Sequence, residues 1–534
     1  MNNPMQHRSW ILGAMTFAIL TLAMLLSLLI GARPAHAQSG PYGVVSPTSL
    51  NFGQVVVGQT SAPQLLSLKN TGDSELTVSN ISISTGFAIT TNHCGNGVKP
   101  GTHCNISVTF APQGPGMETG GLAFADNASN SPQTISLYGT GTAAAQETVL
   151  YSFTSTPDGS VPNGGVIFDK AGNLYGTTVA GGTDGTDCGG DGCGTVFELS
   201  PGTNGVWTET VLHSFDFNGE DGVQPRIGVI FDGAGNLYGT TANGGTNGLG
   251  TVFELSPNGS GGWNEKVLHS FNMTDGWQPW NSLLLDADGD LYGGTQWGGP
   301  YNSGTVFELT PSTNGTWTEK ILHNFGKGHD GVDSRGMIFG TDGSLYGTTA
   351  FGGSHNIGIV YQLSPRANGK WTEKILLNFN GKNGYEPSFG NLLFDAAGNL
   401  YGTTIEGGPY DQGVVFQLVP QTSGKWKENI LFAKNGGGYM IFDKAGNLYG
   451  TIYSWGTYGG GSIFKLTPGT DGTWNESVSY SFEGSPDAAN PFGNLIFDSL
   501  GNLYGTTSCG GSDGTGTGSG CGGLGYGTVY ELAP

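Results

Sequence analysis

Apolar and polar positions from Glu147 to Pro534 follow one repeating pattern. Each unit of about 55 residues holds four short segments rich in Val, Ile, Phe, Tyr and Thr, separated by clusters of Gly, Asn, Asp and Pro. In the first unit they are Gly165–Asp169, the Leu-Tyr-Gly-Thr-Thr run at Leu174–Thr178, Gly194–Leu199 and the Trp-led run Trp207–Phe215. Segments so short and so bounded read as strands, and no 3.6-residue apolar period is sustained beside them. The phrase around the second segment begins at Asn173, Asn236, Asp290, Ser344, Asn399, Asn447 and Asn502. Four antiparallel strands per unit make one blade, so the seven units predict an all-β, seven-bladed β-propeller over residues 146–534.

Turn chemistry assigns the strand pairing. At Asp169–Asn173 a carboxylate starts a turn and Gly172 supplies a positive φ. Asn204-Gly205 and Asn314-Gly315 stand just before Trp207 and Trp317, and Asn-Gly is a strong hairpin signal, so the third and fourth segments pair. A remainder is left at each end. Glu147–Phe153 is a fourth strand with no blade before it, and Gly527–Leu532 is a third strand with no fourth after it. Because an open propeller exposes strand edges, Glu147–Phe153 is expected to close the ring as the outer strand of blade seven.

Between Gln38 and Ala145 the period is absent, and alternating segments such as Gln64–Lys69 and Asn105–Phe110 predict a separate β-sandwich of immunoglobulin size, linked by Thr142–Gln146. Here Pro47–Gly53, Val57-Gly58, Asn70–Gly72, the Cys94/Cys104 pair, Val108–Pro112 and Leu137–Gly141 resemble the ASH-type, or choice-of-anchor D, immunoglobulin-like module. That resemblance implies a spacer or protein-contact domain without catalysis. In the second part, the Gly-x-Val-Phe phrases at Gly194–Phe197, Gly250–Phe253, Gly304–Phe307, Gly413–Phe416 and Gly527–Tyr530 resemble the GloVer-type tandem repeat of bacterial surface and secreted proteins. The order of phrases is also similar to kelch blades, which supports the strand phase. Neither likeness supplies a biochemical role, since a fold hosts many functions.

Charge narrows the partners. Forty-one acidic against 19 basic residues give a net charge of −22, which repels nucleic acid and anionic membranes and disfavours acidic substrates. The basic residue Arg8, the apolar stretch Trp10–Ile30 and Ala35-His36-Ala37 resemble a secretory signal over 1–37, cleaved after Ala37, although the stretch is long enough to span a bilayer if uncut. The mature chain is therefore expected outside the cell or on its surface. Three close pairs, Cys94/Cys104, Cys188/Cys193 and Cys509/Cys521, suggest local disulfides in an exported protein. Zinc is the competing reading, but no His stands at ligand spacing near any pair.

Few residues point to catalysis. His213, His269 and His323 occupy one repeat position, as do Glu198, Glu254, Glu308 and Glu531, and equivalent positions in successive blades diverge too far to share a metal ion. Asp286–Asp290 places three carboxylates at alternate positions, yet its Gly comes too early for an EF-hand and the other units use the slot as a plain turn. No Gly-x-Ser-x-Gly elbow or His-Glu-x-x-His helix is present. No cofactor, no metal and no catalytic residue are expected.

The two turn types barely vary between units, whereas the loops joining strand four to the next blade, and strand two to strand three, do. Strand alternation puts both variable loops on one face, where rigidly mounted loops favour binding. Candidate ligand residues there are Arg226, Trp277, Trp280, Trp297, Tyr301, Phe351, Tyr385, Glu386, Phe389, Tyr410 and Trp455. Six residues before the repeated Asp, the axial mouth is expected to present Asn163, Arg226, Trp280, Ser334, Phe389, Gly437 and Phe492. Aromatic faces among hydrogen-bonding groups suit a glycan; the alternative is that they only cover blade tops. Three functions follow: a non-catalytic propeller binding a glycan or a cell-envelope protein, a polysaccharide hydrolase or lyase drawing on Asp330, Asp333, Glu386, Glu406, Asp411 or Asp487, and a purely structural envelope protein.

Overall fold

The computed structural model describes residues 39–534 apart from 144, 184–187, 189, 435, 470–471, 513–524 and 534. The expected export signal and Cys521 lie outside the described residues. The chain divides into two compact units, Met1–Ala143 and Ala144–Pro534. Among the described residues no helix is long and apolar enough to cross a membrane.

The first unit is a pair of four-stranded sheets. One orders Gly43–Ser46, Gln64–Asn70, His103–Phe110 and Phe87–Asn92, the other Ser49–Val56, Gln133–Thr142, Gly116–Asp126 and Val78–Ile83. Two-residue alternation along Gln133–Thr142 turns Ile135 and Leu137 inward. They join Leu66, Leu68, Ile106, Phe110, Leu122 and Phe124 in one core. Cys94 is bridged to Cys104, in the His103–Phe110 strand, as expected.

In the second unit the strands Val166–Phe168, Leu174–Thr178, Thr195–Pro201 and Trp207–Ser214 pair antiparallel in chain order. Among the described residues five further sheets repeat this order and a sixth has Gln146–Ser152 in its fourth place; two of the six are extended by a short strand, Tyr385–Pro387 or Ala488–Pro491. The anticipated turn chemistry is present: Asp169 Oδ1 accepts the N–H groups of Ala171 and Asn173 at 2.8 and 2.9 Å, and Asn173 Nδ2 donates to Oδ2 at 2.9 Å. Asp286 accepts the same two backbone bonds, from Asp288 and Asp290, so the carboxylate-rich segment is one more copy of the turn. Cys188 is bridged to Cys193.

The repeated glycine of Leu-Tyr-Gly-Thr-Thr is set by close approach. A Cβ on Gly176 would lie 2.6 Å from Phe197 Cζ, and one on Gly239 2.5 Å from Phe253 Cζ. The third strand's aromatic ring therefore needs the missing side chain in the second. Between sheets, Tyr175 meets Phe231 edge-on at 5.0 Å and Trp263 at 6.2 Å, joining the first sheet to the second. Tyr346 and Tyr401 make the same edge contact with Phe394 and Phe442 further along. Tyr504 of the last sheet meets Phe168 of the first at 5.0 Å, in a cluster with Phe153, Val166, Leu174, Phe197, Leu199 and Val529. The strand Gln146–Ser152 pairs antiparallel with Thr528–Ala533, from Ser152 opposite Thr528 to Gln146 opposite Ala533.

Candidate functional site

The loops entering the inner strands are built alike. Val161, Gln224, Gln278, Asp333, Glu386 and Asn490 all sit in the left-handed region, with φ from 54 to 65°. Each donates its backbone N–H to the preceding sheet, as Gln224 does to the Cys193 carbonyl at 2.8 Å and Asn490 to Gly460 at 2.6 Å. Non-glycine residues held there store about 1–3 kcal/mol each, and such strain gathers at functional surfaces. The sixth unit departs from the pattern. Gly436 makes the equivalent bond, to Gln412 at 2.7 Å, and Gly437 and Gly438 follow where five other units place a proline. Above that strand lies a cavity of ≈ 400 Å³.

Phe389, Tyr453, Trp455 and Phe492 line this cavity together with Ile405, Glu406, Asp411 and Gly436–Gly438. Trp455 is 54% exposed and Tyr453 44%, and Glu406 and Asp411 are exposed as well. Ile405 and Glu406 end the strand Leu400–Glu406, and the others belong to the variable loops. From Phe389 the aromatic surface runs on: Phe492 lies at 6.1 Å and Trp280 at 5.4 Å between ring centroids, and the Arg226 guanidinium covers Trp280 at 4.7 Å. Four of the seven positions expected at the mouth thus form one continuous contact.

The fourth unit corrects the count. A bulge between Arg335 and Met337 shifts its register, so spacing pointed to Ser334. That residue is buried, its hydroxyl 3.2 Å from both Asn281 Nδ2 and the Tyr361 hydroxyl. Arg335 takes the place instead, 3.9 Å over the Phe389 ring. It donates from Nη1 to the Pro387 carbonyl at 3.0 Å, and from Nη2 to Asp333 and Glu386 at 3.1 Å each. Burial pushes the Asp333 carboxyl up to about 6, against the pull of the Arg335 guanidinium.

The remaining candidates stand outside the cavity lining. Trp277 and Trp297 bridge each other through their backbones at 2.9 and 3.1 Å, Phe351 pairs with Val332 and Tyr385 with Glu406 across strand edges. Tyr301 and Tyr410 are 49% and 61% exposed, Tyr410 with Lys434 Nζ 5.3 Å over its ring. Of the six candidate acids, Glu406 and Asp411 reach the cavity. Asp330 and Asp487 are instead committed to His323 Nε2 at 3.0 Å and the Tyr480 hydroxyl at 3.2 Å, while Asp333 and Glu386 hold Arg335.

One recurring feature escaped the sequence reading although its spacing is visible there: a Glu two residues after each unit's Trp. These glutamates lie at the junctions between sheets. His269, Asp275 and Glu319 bring ligand-type atoms within 4.8 Å of one another, as do His323, Asp330 and Glu373. Burial, with the Asp330 charge beside it, pushes Glu373 up to about 8, and burial followed by the charge of Asp487 does the same to Glu147. Tyr480, Asp487 and Glu147 form this last junction without an imidazole. The same grouping recurs with His or Tyr as its third member, each time where neighbouring sheets meet.

Fold and mouth together define a propeller-like tandem-repeat β protein with an N-terminal immunoglobulin-like module. Residues 185–385 and 368–534 match the Gloeobacter/Verrucomicrobia repeat, and the chain belongs to that family. Residues 44–140 match the HYDIN/CFA65/VesB-like Ig-like domain. No curated protein is significantly similar in sequence. Among solved structures, an ancestral GH74 enzyme is 12% identical, with a TM-score of 0.45 over 77% of this chain and 53% of its own. A quinonprotein alcohol dehydrogenase-like protein of Bacteroides thetaiotaomicron is 9% identical, at 0.33 over 82% and 96%. The ASH/PapD-like domain of human CEP192 is 15% identical, at 0.18 over 21% and 94%.

Proposed function

We propose that this is an exported or cell-surface protein whose seven sheets are the blades of a seven-bladed propeller closed by Gln146–Ser152. It binds a glycan without catalysis at the cavity of the sixth unit, with the immunoglobulin-like module as spacer. The carrying observation is the cavity itself: exposed Trp455 and Tyr453 beside Phe389 and Phe492, with the carboxylates of Glu406 and Asp411 at its edge. Aromatic faces match the apolar face of a sugar ring, and carboxylates accept its hydroxyls. Its volume falls in the range of small-ligand sites. Disulfides suit an oxidising compartment.

A glycosidase needs one carboxyl kept protonated away from water. Both acids of the cavity are exposed, and Asp333 is 2% exposed and bonded to Arg335, out of reach of a substrate. This favours binding over hydrolysis. A glycan array probed with the mature chain and with Trp455→Ala tests the reading. Retention of a glycan that the variant loses, at an unchanged melting temperature, supports it. Product release that stops in Glu406→Gln or Asp411→Asn would replace it with an enzyme, and an array without any retained glycan would leave a structural role.

A further inference from the structure

The mouth holds two arginines in opposite circumstances. Arg335 is neutralised by Asp333 and Glu386 and also contacts Phe389. Arg226 has no ion pair among the described residues; its guanidinium lies over the face of Trp280. That contact sets positive charge against the ring quadrupole and uses no N–H. Arg226 Nε and Trp280 Nε1 are both shielded from solvent without an acceptor. A buried donor without an acceptor loses its hydration with nothing in return and calls for an explanation. Here two such donors belong to side chains in contact, and among the described residues no carboxylate forms an ion pair with this guanidinium.

We propose that the mouth takes up a carboxylate, carried on a sugar, with the Arg226 guanidinium and the Trp280 indole N–H as its donors. The planar fork of a guanidinium suits the two oxygens of a carboxylate. Trp280 then serves twice: its N–H meets the anion, and its ring continues through Phe389 into the glycan cavity. The ligand class becomes a uronate-bearing saccharide. This step rests on the glycan reading above and adds the charge of the ligand. Burial without a counter-charge also holds the Arg226 guanidinium below its usual range, which an arriving anion would relieve.

The test is an array of uronate oligosaccharides on several backbones, each beside its carboxyl-reduced neutral counterpart, probed with the mature full chain and with Arg226→Gln. At least tenfold preference for the acidic member, lost in Arg226→Gln while neutral binding persists, is the expected result. Equal retention of both members, or a preference that survives Arg226→Gln, overturns the inference and leaves the glycan reading standing. No retention of either kind overturns both. Trp280→Phe, which keeps a ring and removes the N–H, should lower the acidic preference severalfold; an unchanged preference removes Trp280 from the proposal. Because Arg226 holds no ion pair among the described residues and only the Trp280 face lies under it, Arg226→Gln should melt close to the parent, and a marked loss of stability would make it a packing residue.

Discussion

Phe153→Ala tests ring closure directly. Phe153 directly follows the strand Gln146–Ser152, is 1% exposed, and packs edge-on against Phe197 of the first sheet at 5.1 Å. Phe271 holds the equivalent place between the second and third sheets, at 0% exposure and 5.1 Å from Phe307. Truncating a fully buried Phe removes its transfer free energy and leaves a cavity, together about 3–5 kcal/mol. Both variants should lose that amount if the N-terminal strand is as firmly held as a strand in the middle of the chain. Six residue pairs join Gln146–Ser152 to its partner, at about 0.2–1 kcal/mol each, so once the strand detaches, further substitutions in it should be nearly silent. Urea unfolding of the parent, Phe153→Ala and Phe271→Ala, followed by tryptophan fluorescence, makes the comparison. A loss within about 0.5 kcal/mol for Phe153→Ala, beside a full loss for Phe271→Ala, is what surface substitutions show and would refute the closed ring.

Further outcomes follow from the same geometry. The junction glutamates Glu209, Glu265 and Glu319 are pushed up to about 7, and Glu147 and Glu373 to about 8, chiefly by burial. Their folded values exceed the unfolded ones, so their contribution is complete below about pH 4.3 and is lost as pH rises through 7 to 8. Melting temperature should therefore fall across that window, and Glu319→Gln should flatten the slope by about 1 kcal/mol after allowance for solvent screening. Gly239→Ala drives a Cβ to 2.5 Å from Phe253 Cζ and should cost about 1–3 kcal/mol in urea unfolding. Asp395→Ala removes the acceptor of three N–H groups in its turn and should cost about 1–3 kcal/mol, with cavity binding unchanged by calorimetry.

What the sequence by itself determined is whatever repeats. Strand order, the Asp-x-x-Gly-Asn turns, the pairing of third with fourth strands and the unmatched strand at Glu147–Phe153 depend on local backbone preferences and on counting, and each unit states them again. The immunoglobulin-like module and the Cys94 and Cys188 bridges were legible for the same reason, since local motifs and short spacings carried them. The site depends on departures from the repeat. Gly436–Gly438 looked like one more glycine cluster in a chain of 97 glycines, and only the folded chain shows that it lines a cavity with Trp455 and Phe389. The bulge that replaces Ser334 by Arg335 at the mouth is a register shift, which spacing does not encode. Asp330 and Asp333 are both acids on a variable loop in the sequence; folding gives one to His323 and the other to the buried Arg335, and which side chain each carboxylate faces is set by the strand pairing around it. Arg226 is the converse case: its position could be counted, but its want of a counter-charge is a property of everything packed around it.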